Sequence, residues 1–122
     1  MSAAAMHASA VYEQVAKDGR VFTFLSDDSY LVFPVYGTEV VSFWSSRSRM
    51  EKIQSTHPHF SAYTIAEYSL SEFLEKTLFQ LEEQSISVGV NWSGKRLTGY
   101  DVSVADLRRN IGHWLSREQG DG

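Results

Sequence analysis

The chain contains no cysteine. Disulfide cross-links, zinc–thiolate centres and thiol nucleophiles are therefore excluded. Proline is scarce, with two in 122 residues, and no stretch is of low complexity or internally repeated. Nothing marks a linker, and dividing the chain would leave pieces too small to hold a core. No apolar run approaches the roughly 20 residues that span a bilayer. The opening "MSAAAMHASA" has neither a basic head nor a continuous apolar stretch, so it does not fit a secretory signal. A cytoplasmic location without a membrane partner is the default expectation. Positive charge is also short: 11 Lys and Arg against 15 Asp and Glu leave a formal net charge of −4. Phosphate neutralisation needs a concentrated positive face, so no nucleic-acid partner is expected.

The residues present describe an ordinary globular protein, 43% apolar and 21% charged. A chain of this length removes roughly two-thirds of its unfolded surface from water, enough for one sizeable core. One domain over residues 1–122 is expected, with 1–5 and 118–122 as frayed ends.

Helical spacing begins with Val11 and Val15, extended by Met6 or Ala8, and Gly19 marks the stop of a helix over about 4–18. In "RVFTFLSDDSYLVFPVYG", two β-branched and aromatic runs flank Asp27-Asp28-Ser29, the pattern of a hairpin. Pro34 makes the second strand an edge or interrupts it. "TEVVSFWSS" predicts a third strand over about 39–45. Ser48 and Glu51 then form a capping-box pair, with Met50 and Ile53 facing inward. Pro58 ends that helix through its restriction of the preceding residue, and "FSAYTIAEY", about 60–68, follows as a strand. The clearest helix starts at Ser69 with Glu72 as cap partner, and buries Leu70, Phe73, Leu74, Leu78 and Leu81. "ISVGVNW" alternates, so Ile86, Val88, Val90 and Trp92 should share one face. A last helix begins near Ser103, buries Val104, Leu107, Ile111 and Leu115, and stops before Gly120. The expected fold is α+β: a single mixed or antiparallel sheet of about five strands with about four helices packed on it.

Few motifs carry chemistry. In "GVNWSGKR", four residues separate Gly89 from Gly94-Lys95, the spacing of a phosphate-binding loop. Arg96 stands where that loop requires a metal-binding hydroxyl, and helical periodicity returns only at Val104 instead of at the lysine. The same residues fit a tight turn after Trp92, with Gly99 permitting a positive φ or a close backbone approach. Asn91, Lys95, Arg96 and Tyr100 make a candidate exposed patch for an acidic or aromatic partner. Trp44 is foremost a core or rim residue and secondarily a partner-binding anchor. Asn91-Trp92-Ser93 matches a glycosylation sequon without a secretory signal. His57, His59 and Glu67 form no convincing metal cluster, since a proline separates the two histidines. His113 reads as a helix-surface residue, and no serine lies in a nucleophile elbow. No catalytic residue, cofactor or metal is therefore expected.

The run "YSLSEFLEKTLFQLEEQSISVGVNWSGKRLTGYDVSVADL", with "VFTFLSDDSYLVFPV" and "VVSFWSSRSRMEKI", resembles the bacterial domain of unknown function family 2750. The resemblance is most specific over "VGVNWSGKRLTGYDV". It departs most around Trp44, where Phe43 or Ser45 stands in place of a proline. It implies a small cytoplasmic bacterial protein of mixed α/β fold, and brings no catalytic residue with it. The leading expectation is a non-enzymatic protein-binding module, adaptor- or immunity-like, possibly acting as a homodimer. The alternative is a small-molecule or nucleotide sensor or enzyme using Gly94-Lys95-Arg96.

Overall fold

The first helix, α1 (Ala3–Asp18), stops at Gly19, whose φ of +74° and N–H hydrogen bond to the Val15 carbonyl (2.8 Å) form a left-handed C-cap. The computed structural model describes the backbone of residues 3–119 and the side chains of 9–118. The expectations for Met6, Ala8 and Gly120 lie outside the described residues. Residues 3–5 and 118–119, expected as frayed, have helical backbone.

Strands β1 (Arg20–Ser26) and β2 (Ser29–Tyr30) close on Asp27 and Asp28, both with positive φ (50° and 65°). That is the requirement of a two-residue hairpin turn, and Asp tolerates it. The second arm then breaks. Residues 31–32 leave the ladder, and β3 (Phe33–Val35) pairs with β4 (Thr38–Phe43) through a second two-residue turn, Tyr36-Gly37. Pro34 lies in this edge strand, where its missing N–H interrupts no ladder.

The sheet is not the single unit of about five strands that the pattern suggested. There are two sheets, ordered β2-β1-β5 and β3-β4-β6-β7, with β5 at Thr64–Ser69, β6 at Ser87–Ser93 and β7 at Thr98–Val102. Only β4 and β6 run parallel; the remaining neighbours are antiparallel. One antiparallel bridge joins the sheets, Phe22 with Trp44, through bonds of 2.9 and 2.8 Å. The junction is this short because β4 ends at Phe43 and the chain turns at once into α2 (Arg47–Thr56).

Alternate strand residues feed two cores. Val21, Val41, Phe43, Val88, Val90 and Val102 pack against α1, α3 (residues 70–83) and α4 (Val104–Gln119). Phe22, Phe24, Val40 and Trp44 pack against Met50 and Ile53 of α2 and against Phe60. Helices therefore cover both faces.

Three local expectations change. Ser46, not Ser48, caps α2, its Oγ accepting from the Arg49 amide at 3.4 Å. The segment expected as a strand from residue 60 begins as a 3₁₀ turn, Pro58–Ala62, because Phe60 is drawn edge-on against Phe24, centroids 5.2 Å apart. In α3, capped by Ser69 as expected, Phe73–Thr77 forms one π turn. Its extra residue per turn lets Phe73 and Leu78, five apart, both reach full burial.

Candidate functional site

The β6–β7 ladder pairs Val90 with Tyr100 and Ser93 with Thr98, leaving one surplus residue on β6. This is a β-bulge, and Asn91 absorbs it with φ at +48°. A single inserted residue reverses the side-chain alternation beyond it. Ile86, Val88 and Val90 accordingly face the α1 side, whereas Trp92 crosses to the α2 side. The expectation that all four share a face is corrected here, and the bulge is the reason.

Trp92 has a fitted seat. A Cβ on Gly89 would stand 2.5 Å from its indole, and one on Gly99 2.9 Å from its Cδ1. Gly99 thus serves close approach, the second of the two roles its position suggested. The indole Nε1 donates to Asp101 Oδ1 at 2.8 Å, and Phe33 meets the ring edge-on at 5.3 Å. Trp44 Nε1 donates to the Trp92 carbonyl at 2.8 Å. Asn91 is 1% exposed; its Oδ1 accepts from the Ser45 amide (2.9 Å) and its Nδ2 donates to Ser45 Oγ (3.0 Å). The sequon asparagine is consequently sealed inside the folded protein.

The chain then bends back. Leu97 N–H donates to the Gly94 carbonyl at 3.1 Å across a turn spanning 94–97, and no helix starts before Val104. A phosphate-loop arrangement, with a helix N-terminus at Lys95, is not what forms. His57 Nε2 also bonds the Gly94 carbonyl at 2.9 Å, necessarily as donor, which ties the turn to the end of α2.

The five residues singled out from sequence do not form one patch. Asn91 and Trp44 are buried, and half-buried Tyr100 packs on the α1-side core, leaving Lys95 and Arg96 exposed at the turn. Asn91 was expected at the surface; its bonds to Ser45 hold it inside. The structure instead opens a concavity on either side of Trp92. One, of about 320 Å³, lies between Trp44 and Trp92 and is edged by Arg49, Lys52 and His57. The other, of about 440 Å³, runs from Phe33 and Tyr36 to Arg96 and Leu97. Sequence reasoning missed Tyr36, Arg49 and Lys52. The helical spacing of Arg49, Lys52, Ile53 and Thr56 is visible in the sequence, but nothing there says which strand that face meets.

Among the described residues no three His, Cys, Asp or Glu side chains converge as a metal site, and Glu67 lies 3.8 Å from Arg20. No described helix is long and apolar enough to cross a membrane. Two tyrosines have raised pKa values, both on the α1 side of the sheets. Burial pushes Tyr68 up to about 12, helped by hydrogen bonding to Tyr30, and burial also raises Tyr12.

Residues 8–111 match the family described as protein of unknown function (DUF2750). The chain belongs to the DUF2750 family. The matched span runs from within α1 into α4, so it contains both sheets and both concavities. No curated protein matches the chain. In this DUF2750 member, Gly89, Asn91, Trp92, Gly99 and Asp101 of "VGVNWSGKRLTGYD" build the bulge and the tryptophan seat.

Proposed function

We propose that the protein is a non-enzymatic binding module that holds a partner protein in the groove between the Tyr36 turn and the 94–97 turn. One observation carries this reading. Two positive-φ residues have bulky apolar side chains, Tyr36 (47°) and Leu97 (50°), and both line that groove. A left-handed backbone at a non-glycine residue costs on the order of 1–3 kcal/mol, and such outliers concentrate where function requires them. Tyr36 is also fully exposed, so no packing on the protein's own core offsets that cost. Tyr and Arg are the side chains favoured at the centres of protein interfaces, and Arg96 lines the same groove as Tyr36. Neither Lys95 nor Arg96 forms an ion pair among the described residues, which suits a partner with acidic groups. An adaptor- or immunity-type role, or a second copy of the chain as partner, is compatible with this chemistry.

The test exploits the turn. Tyr36→Asn creates Asn-Gly, the preferred two-residue hairpin sequence. The variant should keep or gain thermal stability while losing the partner. A photo-crosslinker at position 36 should capture a defined protein that Arg96→Ala releases, whereas the same probe at exposed Glu83 should not. Undiminished co-purification of that protein with the Tyr36→Asn, Arg96→Ala double variant, without the probe, would sink the reading. Sedimentation of both forms shows whether the captured protein is a second copy.

A further inference from the structure

We infer that the cleft between α2 and the 93–94 strand end is a binding site for a small phosphomonoester with an apolar body. The cleft is distinct from the partner groove, sharing only Trp92 with it, and the inference does not rest on the partner reading.

Arg49, Lys52, Ile53 and Thr56 recur at i, i+3, i+4 and i+7, the spacing of one helix face, and all four line the cleft. Placing Arg49 and Lys52 one turn apart is mildly unfavourable for the helix by itself, since like charges repel at that spacing. The chain as a whole is acidic, with net charge −4, yet no Asp or Glu lines this cleft. Neither Arg49 nor Lys52 is engaged in an ion pair among the described residues. Two permanent positive charges therefore converge uncompensated, with the His57 imidazole beside them.

The carbonyl of Gly94, which lines the cleft, is already occupied. His57 Nε2 donates to the Gly94 carbonyl at 2.9 Å, removing an oxygen that would repel an anion. The floor is apolar and fixed. Ile53, Trp44 and Trp92 are each at most 5% exposed, and both indole N–H groups are held by 2.8 Å bonds. A preformed apolar floor with a few convergent polar groups is the usual make-up of a ligand site, and about 320 Å³ falls at the small end of such pockets. Two cations match a dianion better than a monocarboxylate. Guanidinium and ammonium groups together are suited to phosphate oxygens.

The test is an indole N–H NMR titration with phenyl phosphate. The chain has three tryptophans, so Trp114 on α4 serves as an internal control. Phenyl phosphate should move the Trp44 and Trp92 signals and leave Trp114 in place. Arg49→Gln and Lys52→Gln, both exposed, should each weaken binding by about tenfold, and benzoate should bind about tenfold more weakly than phenyl phosphate. Raising NaCl from about 0.05 to about 0.5 M should weaken it further. A titration with adenosine monophosphate ranks nucleotide against other phosphomonoester sources; tighter binding of either supports the site. Three results would overturn the inference: no movement of Trp44 and Trp92 at about 20 mM ligand, which is a hundredfold above a Kd of about 0.2 mM; equal binding by benzoate or tighter binding by inorganic phosphate; or affinity that survives Arg49→Gln and Lys52→Gln but falls with Lys95→Gln.

Discussion

Replacing Gly89 by alanine tests the tryptophan seat directly. The new methyl carbon would lie 2.5 Å from Trp92 Cε2 and Nε1 and 2.7 Å from Cζ2. Ordinary carbon contacts sit at about 3.5–4.0 Å, so the ring must retreat by roughly 1 Å. It has little freedom to do so, because Nε1 is bound to Asp101 at 2.8 Å and the Trp92 carbonyl holds Trp44. Alanine in place of glycine returns about 0.5–1 kcal/mol through a less flexible unfolded chain. Overpacking costs about 1–3 kcal/mol, and weakening a hydrogen bond to a carboxylate adds roughly 1 kcal/mol once water partly replaces it. The clash wins, and the expected net loss is about 2 kcal/mol. Urea denaturation followed by tryptophan fluorescence and far-UV circular dichroism measures it. Trp92→Phe should shrink the Gly89→Ala penalty, giving a coupling above about 0.5 kcal/mol in a double-mutant cycle. Gly112→Ala is the control: nothing stands within 4 Å of its Cβ position on α4, so it should gain up to about 1 kcal/mol. Equal stabilities for Gly89→Ala and wild type, or additivity with Trp92→Phe, would refute the proposed seat.

Asn91→Ala should lose about 2–4 kcal/mol, since it strips a left-handed residue of its tolerated side chain and orphans the buried Ser45 amide. Asn91→Gly should lose less, because glycine restores the backbone freedom. Ser46→Ala should destabilise by about 0.5–1 kcal/mol, and Ser48→Ala by much less, in the same urea assay. Tyr68, raised from 10.0 to about 12, gives a pH signature. The folded state holds that proton more tightly than the unfolded chain. Its stabilising contribution is therefore full below pH 10 and is lost as pH rises toward about 12. Tyr68→Phe should flatten that alkaline decline, and tyrosinate absorbance should show two late-ionising groups in the wild type, Tyr68 and Tyr12, and one in the variant.

Much of the fold could be read because local signals and tertiary packing agreed. The Asp27-Asp28 turn, the stop at Gly19, the cap at Ser69 and the stripe of α4 all form where their chemistry places them. Departures arose where a long-range contact outweighed the local pattern. Phe60 left the strand pattern to pack on Phe24, and β3 parted from β2 to pair with β4. The site was less legible. Its loop was visible as a turn, but period-two reasoning put Trp92 on the wrong face because one surplus residue, paired with nothing, leaves no mark in hydrophobic alternation. Asn91 looked like a surface residue for the same reason.

By itself the sequence determined where the helices and the strands β1, β4 and β6 fall, that helices pack on strands, and that the chain turns back after Trp92. These outcomes follow from spacing, capping and turn chemistry, which act over a few neighbouring residues. Only the tertiary structure decided the split into two sheets, the bulge at Asn91 and the meeting of Arg49 and Lys52 with Trp92. Each depends on contacts between residues about 20 to 50 apart in the chain, as the Phe22–Trp44 bridge and the Ser45–Asn91 pair do. Such contacts are chosen by the shape of the assembled core, to which no local window of sequence has access.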